Sequence, residues 1–336
     1  MKSGLTLALL VCGAGLAADG AETPSPALLV LAKTDQMLAI VDPATGKAVG
    51  RVPSGPDPHE VVASPDGKFA YISNYGFGSY NTITVVDLQR QRALPPVDLG
   101  ALRGPHGLMY AGGKVWFTAE AAKAAGRYDP AAGKIDWVLG TGQNRTHMIF
   151  VFPDLKRIVT SNVSSGTMTI IQKSEGRRGP GPGPRADDWE ETVVKVGRGA
   201  EGFDVSPDGK EIWAANAQDG TISIIEVASS QVTATLDANV RGANRLKFTP
   251  DGKLVFVSTL GGPDVAVFDP ATRKDVKRVK VGHGAAGILM QPDGSRVYVA
   301  CTPDDYVAII DLKSLEVVGR IDAGKQPDGL AWAATR

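Results

Sequence analysis

Four histidines occur in this chain of 336 residues, and three of them, His59, His106 and His147, fall at near-regular intervals. Continuing the interval reaches Glu201, Asn244, Ala286 and Asp328, with successive spacings of 47, 41, 54, 43, 42 and 42 residues. Imidazole nitrogens and carboxylates are ligands for first-row divalent metals, and three protein ligands with one open position is the usual catalytic arrangement. A divalent transition metal held by His59, His106, His147 and Glu201 would polarise a carbonyl or activate water. A competing reading needs no metal: the pairs Pro58-His59, Pro105-His106 and Pro327-Asp328 make a polar residue after proline a feature of the repeat itself.

Three residues upstream runs a second column, Pro56, Arg103, Asn144, Arg198, Arg241, His283 and Lys325, with Arg145 one position late. A collar of cations on a chain whose 36 Lys and Arg balance 36 Asp and Glu would focus field lines and attract a carboxylate or phosphate. Arg103, Arg145, Arg198, Arg241, Asn244 and Asp328 are thus the candidates for binding a small anionic ligand. Against this stands the ordinary tendency of exposed loops to carry Arg and Lys.

The elements that position these columns are short strands. Ala200 to Leu236 reads as four of them, joined by the Pro207-Asp208-Gly209 turn and small polar loops. The end of the third strand recurs at Val41-Asp42, Val86-Asp87, Tyr128-Asp129, Ile171-Gln172, Ile225-Glu226, Phe268-Asp269 and Ile310-Asp311. Seven copies at a period of roughly 40–50 residues predict an all-β, seven-bladed β-propeller of four-stranded antiparallel blades. In such a ring the fourth strand of one blade leads to the inner strand of the next on one rim, so the histidine column belongs at the mouth of the central channel. The first blade begins directly with a second-strand pattern at Leu28, and its missing inner strand is Asp328-Gly329-Leu330-Ala331-Trp332, so the C-terminal strand is expected to close the ring.

The second strands read Tyr71-Ile72-Ser73-Asn74, Val159-Thr160-Ser161-Asn162, Trp213-Ala214-Ala215-Asn216, Phe256-Val257-Ser258-Thr259 and Tyr298-Val299-Ala300-Cys301. They resemble the repeat of the YVTN-type seven-bladed propeller proteins over residues 27–334. The resemblance implies the propeller fold and an extracytoplasmic setting. Its relatives include surface-layer proteins and lactonase-like propellers, so it leaves two functions open. One is ligand binding at the mouth with hydrolase or lyase activity; the other is a non-catalytic scaffold for a protein or polymer.

Residues 1–18 carry an early lysine, an apolar run and small residues, which predicts a secretory signal and a periplasmic or secreted protein. Cys12 suggests a lipid anchor, although Val11 before it is bulkier than a lipobox accepts. No other stretch reaches 18 apolar residues, so no membrane span is expected. Zero net charge argues against nucleic-acid binding. Residues 173–188, rich in Gly, Pro and Arg, account for the 54-residue spacing and predict a flexible insertion. This insertion and the rim loops are the candidate surfaces for a protein partner.

Overall fold

The structure is a computed structural model that describes residues 22–175 and 187–334. Their strands form seven sheets of four, each antiparallel and ordered from an inner to an outer strand. Blade 1 pairs the inner strand Pro327–Ala333 with Ala27–Ala32, followed by Met37–Asp42 and Lys47–Pro53. Leu28 lies opposite Trp332 and Leu29 opposite Ala331, so the C-terminal strand closes the ring as the repeat requires. The inner strands of blades 2 to 7 are Pro58–Ala63, Pro105–Ala111, Thr146–Val151, Ala200–Val205, Ala243–Phe248 and Ala285–Met290.

The second strand of each blade is buried on both faces, and this explains why Ala27–Ala32 (ALLVLA) is apolar throughout. Its alternate residues go to different neighbours. Leu29 and Leu31 pack with Val61 and Ile72 of blade 2, whereas Leu28 and Val30 pack with Tyr298 and Val307 of blade 7. Outer strands do alternate, with Lys134–Gly140 exposing every second residue. Each pair of adjacent blades therefore encloses one apolar layer, and a blade removed from the ring would bare two.

The signal expected at residues 1–18 lies outside the described residues. So does most of the expected insertion, but its two ends are regular strand. Thr167–Glu175 and Asp187–Lys195 stay paired through Lys173↔Trp189, Ser174↔Asp188 and Glu175↔Asp187. The flexible boundary set at 173 and 188 is therefore too wide, because the hairpin's backbone hydrogen bonding outlasts its sheet neighbours. Among the described residues no helix is long and apolar enough to cross a membrane.

Ring closure is open to test by deleting residues 327–336. The loss takes away Leu330, Ala331 and Ala333, all buried, and leaves the Ala27–Ala32 strand without its partner. Burial worth about 1.5–3 kcal/mol per large apolar side chain predicts a melting temperature lower by roughly 10 °C or more. An unchanged melting curve for the truncated chain would mean that closure is not made by this strand.

Candidate functional site

Each inner strand begins with a β-bulge. Pairing jumps from Pro58↔Asn74 to Val61↔Ile72, from Pro105↔Ala119 to Leu108↔Phe117, and from Thr146↔Asn162 to Ile149↔Thr160. Blades 5, 6 and 7 repeat the irregularity. A bulge re-aims the residues it contains, and here those residues are the histidine column. In blades 2, 3, 4 and 6 the backbone freed by the bulge is caught by a hydroxyl of the second strand. Ser73 accepts from the Glu60 N–H at 3.1 Å and donates to the His106 carbonyl at 2.8 Å. Thr118 accepts from Gly107 at 2.9 Å and donates to the His147 carbonyl at 2.5 Å. Ser161 and Ser258 do the same for Met148 and Arg245, donating to the Glu201 and Ala286 carbonyls. Every such hydroxyl satisfies its own blade and fixes the mouth residue of the next. Gly107 is required by this closeness, since a Cβ there would meet the His147 carbonyl oxygen at 2.6 Å.

The three histidines do converge. The His59 and His106 ring centroids are 5.0 Å apart, and those of His106 and His147 are 3.7 Å apart at a tilt of 34°. They line a cavity of about 380 Å³ together with Lys33, Arg145, Glu201, Asn244 and Asp328. Their environments differ sharply. His147 is buried between two carboxylates: Nδ1 bonds Glu120, and Nε2 lies 2.9 Å from Glu201 Oε1. Burial alone would favour neutral imidazole, but the Glu201 charge and the Glu120 hydrogen bond override it and lift the pKa to about 9. Reciprocally, burial would raise Glu201, yet the His147 and arginine charges bring it down to about 2. His106 is pushed well below the ordinary imidazole value by burial and by the neighbouring cations, so it is neutral. His59 is lowered too, by burial first. Its Nε2 accepts from the Lys33 ammonium at 2.9 Å and its Nδ1 donates to the Asp57 carbonyl at 3.2 Å.

Around these rings the charges are cross-linked. Tyr75 donates to Glu120 and presents its ring edge-on to His59 and His106. Lys33 lies 3.4 Å from Asp328 and 3.6 Å from Asp57. Arg245 of blade 6 reaches across the axis to Glu60 of blade 2. Because Arg245 also lines a second cavity of about 340 Å³ within the inner strands, this ion pair forms the floor of the mouth.

These geometries do not suit a metal. Among the described residues, no group of three or more His, Cys, Asp or Glu side chains is arranged to hold one. His147 Nδ1 bonds Glu120, its Nε2 lies 2.9 Å from Glu201 without a hydrogen bond, and the lone pair of His59 Nε2 faces an ammonium. As placed, His59, His106, His147 and Glu201 are arranged as a hydrogen-bonded and ion-paired acid–base cluster.

The expected cationic collar divides in two. Arg145, Asn244 and Asp328 line the mouth. Arg103, Arg198 and Arg241 do not: they are exposed and tied to neighbouring loops, at the Gly78 carbonyl, Asp219 and the Gln218 carbonyl respectively. The column predicted their common height on the rim but not the side to which each arginine folds. Sequence reasoning missed Lys33, Tyr75 and Glu120, although a signal existed. Each is the first residue past a second strand, and the same register continues through Val163, Ala217, Leu260 and Thr302. Cys301 is buried with its thiol pushed up to about 11 by desolvation, which removes it as a nucleophile. A wider cleft of about 950 Å³ lies on the opposite rim between blades 5 and 6, near Pro207 and Pro270. Its Asp208, Lys210 and Lys253 are solvent-exposed and paired locally, so it lacks the buried titratable groups of the mouth.

No protein-family model matches the chain, and no curated protein is similar to it. The YVTN-type repeat therefore remains a resemblance in sequence. Solved structures do match in fold. A functionally unknown protein from Desulfotomaculum acetoxidans is 14% identical, covers 93% of this chain and 100% of its own, and superposes with a TM-score of 0.72. A candidate 6-phosphogluconolactonase from Bacteroides uniformis is 18% identical over 92% of this chain and 99% of its own, also at 0.72. Kuenenia stuttgartiensis hydrazine synthase is 18% identical over 83% and 90%, at 0.66. At these identities the likeness establishes the fold, a seven-bladed β-propeller.

The charged state of His147 has a measurable consequence. Its pKa lies above the ordinary 6.5, so its contribution to stability is complete below pH 6.5 and is lost as pH rises through about 9. The unfolding free energy should fall over that interval, and His147→Gln should flatten the fall. Parallel pH profiles for the two proteins would show that His147 is neutral.

Proposed function

We propose that this chain is an extracytoplasmic propeller that binds a small anionic ligand at the mouth of its channel. The observation that carries the reading is Arg145. His147 and Arg245 are buried against carboxylates and Lys33 has two, Asp328 and Asp57, whereas the Arg145 guanidinium has a single carboxylate, Glu120 at 3.6 Å, and keeps its side chain 41% exposed at the cavity. Glu120 is in turn already bonded to Tyr75 and His147. A carboxylate or phosphate entering the mouth would complete the pairing of Arg145 with charge-assisted hydrogen bonds. It would also meet His106, whose buried Nδ1 has no hydrogen-bond partner among the described residues. The leader-like residues 1–18 support placement outside the cytoplasm.

A second reading adds chemistry at the same place. Neutral His106 and the His147 imidazolium have ring centroids 3.7 Å apart, which sets a base beside a cation as opening a lactone needs: His106 takes a proton from water as its oxygen bonds the carbonyl carbon, the cationic side stabilises the tetrahedral oxyanion, and the proton passes from His106 to the ring oxygen as the acyl C–O bond breaks. The candidate lactonase among the fold neighbours motivates lactones as the first class of compound to assay. If the mouth serves neither purpose, the chain is a scaffold acting through its rims.

Calorimetric titration with inorganic phosphate and with acetate at pH 7 tests the binding reading. Arg145→Gln should weaken both about tenfold or more, since a hydrogen bond to a charged group contributes roughly 1.5–3 kcal/mol. Absence of binding to the unaltered protein would remove the ligand-binding function and leave the scaffold.

A further inference from the structure

The mouth is chemically two-sided. Blades 3, 4 and 5 present His106, Arg145, His147 and Glu201, whereas the exposed lip on blades 6 and 7 is Leu260 and Pro303, above the buried Asn244, Arg245 and Ala286 and the half-buried Thr302. From blade 2, Phe77 extends over the same cavity. Its side chain is 82% exposed, and that of Leu260 is 52% exposed. Single exposed apolar residues need no explanation, but these two stand on nearly opposite blades and face one cavity. Phe77 is moreover held at φ 49° and ψ 39°, a left-handed conformation that costs a bulky residue roughly 1–2 kcal/mol. Between Gly76 and Gly78, both at positive φ, the loop would be relaxed with glycine or asparagine at this position. The ring of Phe77 lies 5.0 Å from that of Tyr75 and 6.4 Å from that of His59, so it continues an aromatic edge from the buried cluster out to solvent.

From this juxtaposition we propose that the ligand is a small apolar carboxylate, with a single aromatic ring or a body of similar size, rather than a polyhydroxylated or sugar-like anion. The inference rests on the anion-binding reading of the mouth. The carboxylate pairs with Arg145 on the charged side, and the apolar body lies between Phe77 and Leu260 against Pro303. A cavity of about 380 Å³ accommodates one ring with its acid group. The Phe77, Leu260 and Pro303 side chains offer a sugar no donors or acceptors, so hydroxyls placed against this lip would give up water without compensation.

Acetate and phenylacetate form the matched probe pair, because they share the carboxylate and differ by the ring. Calorimetry on the full chain should show phenylacetate binding at least tenfold more tightly than acetate. Phe77→Ser and Leu260→Ser, both at exposed positions where folding is not at stake, should each weaken phenylacetate several-fold and leave acetate unchanged. Arg145→Gln should weaken both. Equal affinity for the two acids, or phenylacetate affinity indifferent to both serine variants, overturns the apolar specificity while leaving the anion site standing. Binding of neither acid, by contrast, removes the anion site and this inference with it.

Discussion

The feature on which the rest depends is the hydroxyl bridge between neighbouring blades. A bulge at the start of an inner strand turns one side chain into the channel mouth, but it also leaves an amide and a carbonyl without ladder partners. Ser73, Thr118, Ser161 and Ser258 resolve both problems with a single oxygen each, accepting within the blade and donating to the next. Without that oxygen the buried groups would cost about 1–3 kcal/mol apiece. The consequence is that the mouth side chains are set by the backbone of two blades rather than by rotamer preference, and three imidazoles from three blades can be stacked within contact distance.

Such convergence creates an electrostatic problem that the structure answers by pairing. Buried charges are tolerable only when compensated, and His147 with Glu120 and Glu201, Arg245 with Glu60, and Lys33 with Asp328 meet that demand. His106 and His59 are both lowered by burial first, and at His106 the neighbouring cations add to the effect. The result is a mouth that is densely charged yet nearly self-neutralised. This shifts attention from a general cationic field to Arg145, whose pairing is looser, and to the apolar lip opposite it.

How much of this was legible beforehand varies with physical cause. The ring, the blade count and the closing strand follow from a repeat of fixed length, because a four-stranded sheet with two apolar faces must be covered on both sides. The histidine column was legible for the same reason, since equal register in equal blades means equal height and facing. What happens within a column was not. His147 is raised by Glu201, which the column did place beside it, and by Glu120, which reaches its Nδ1 from a different register that the histidine column does not include. Arg103, Arg198 and Arg241 share the register of the mouth loops but fold onto local carbonyls and Asp219, a choice made by loop conformation over a few residues. Three of the four bridging hydroxyls, Ser73, Ser161 and Ser258, were in plain view as the third residue of second-strand repeats, where they read as part of a signature rather than as the fastening of the site.

Thr118 provides the most direct test of that fastening, because valine reproduces its shape and removes only the oxygen that Gly107 and His147 share. With wild-type and Thr118→Val proteins compared by equilibrium denaturation, the account predicts a loss of about 2 kcal/mol or more, two buried groups having lost their partner. A variant as stable as the wild type would contradict the claim that hydroxyl bridges hold the mouth together.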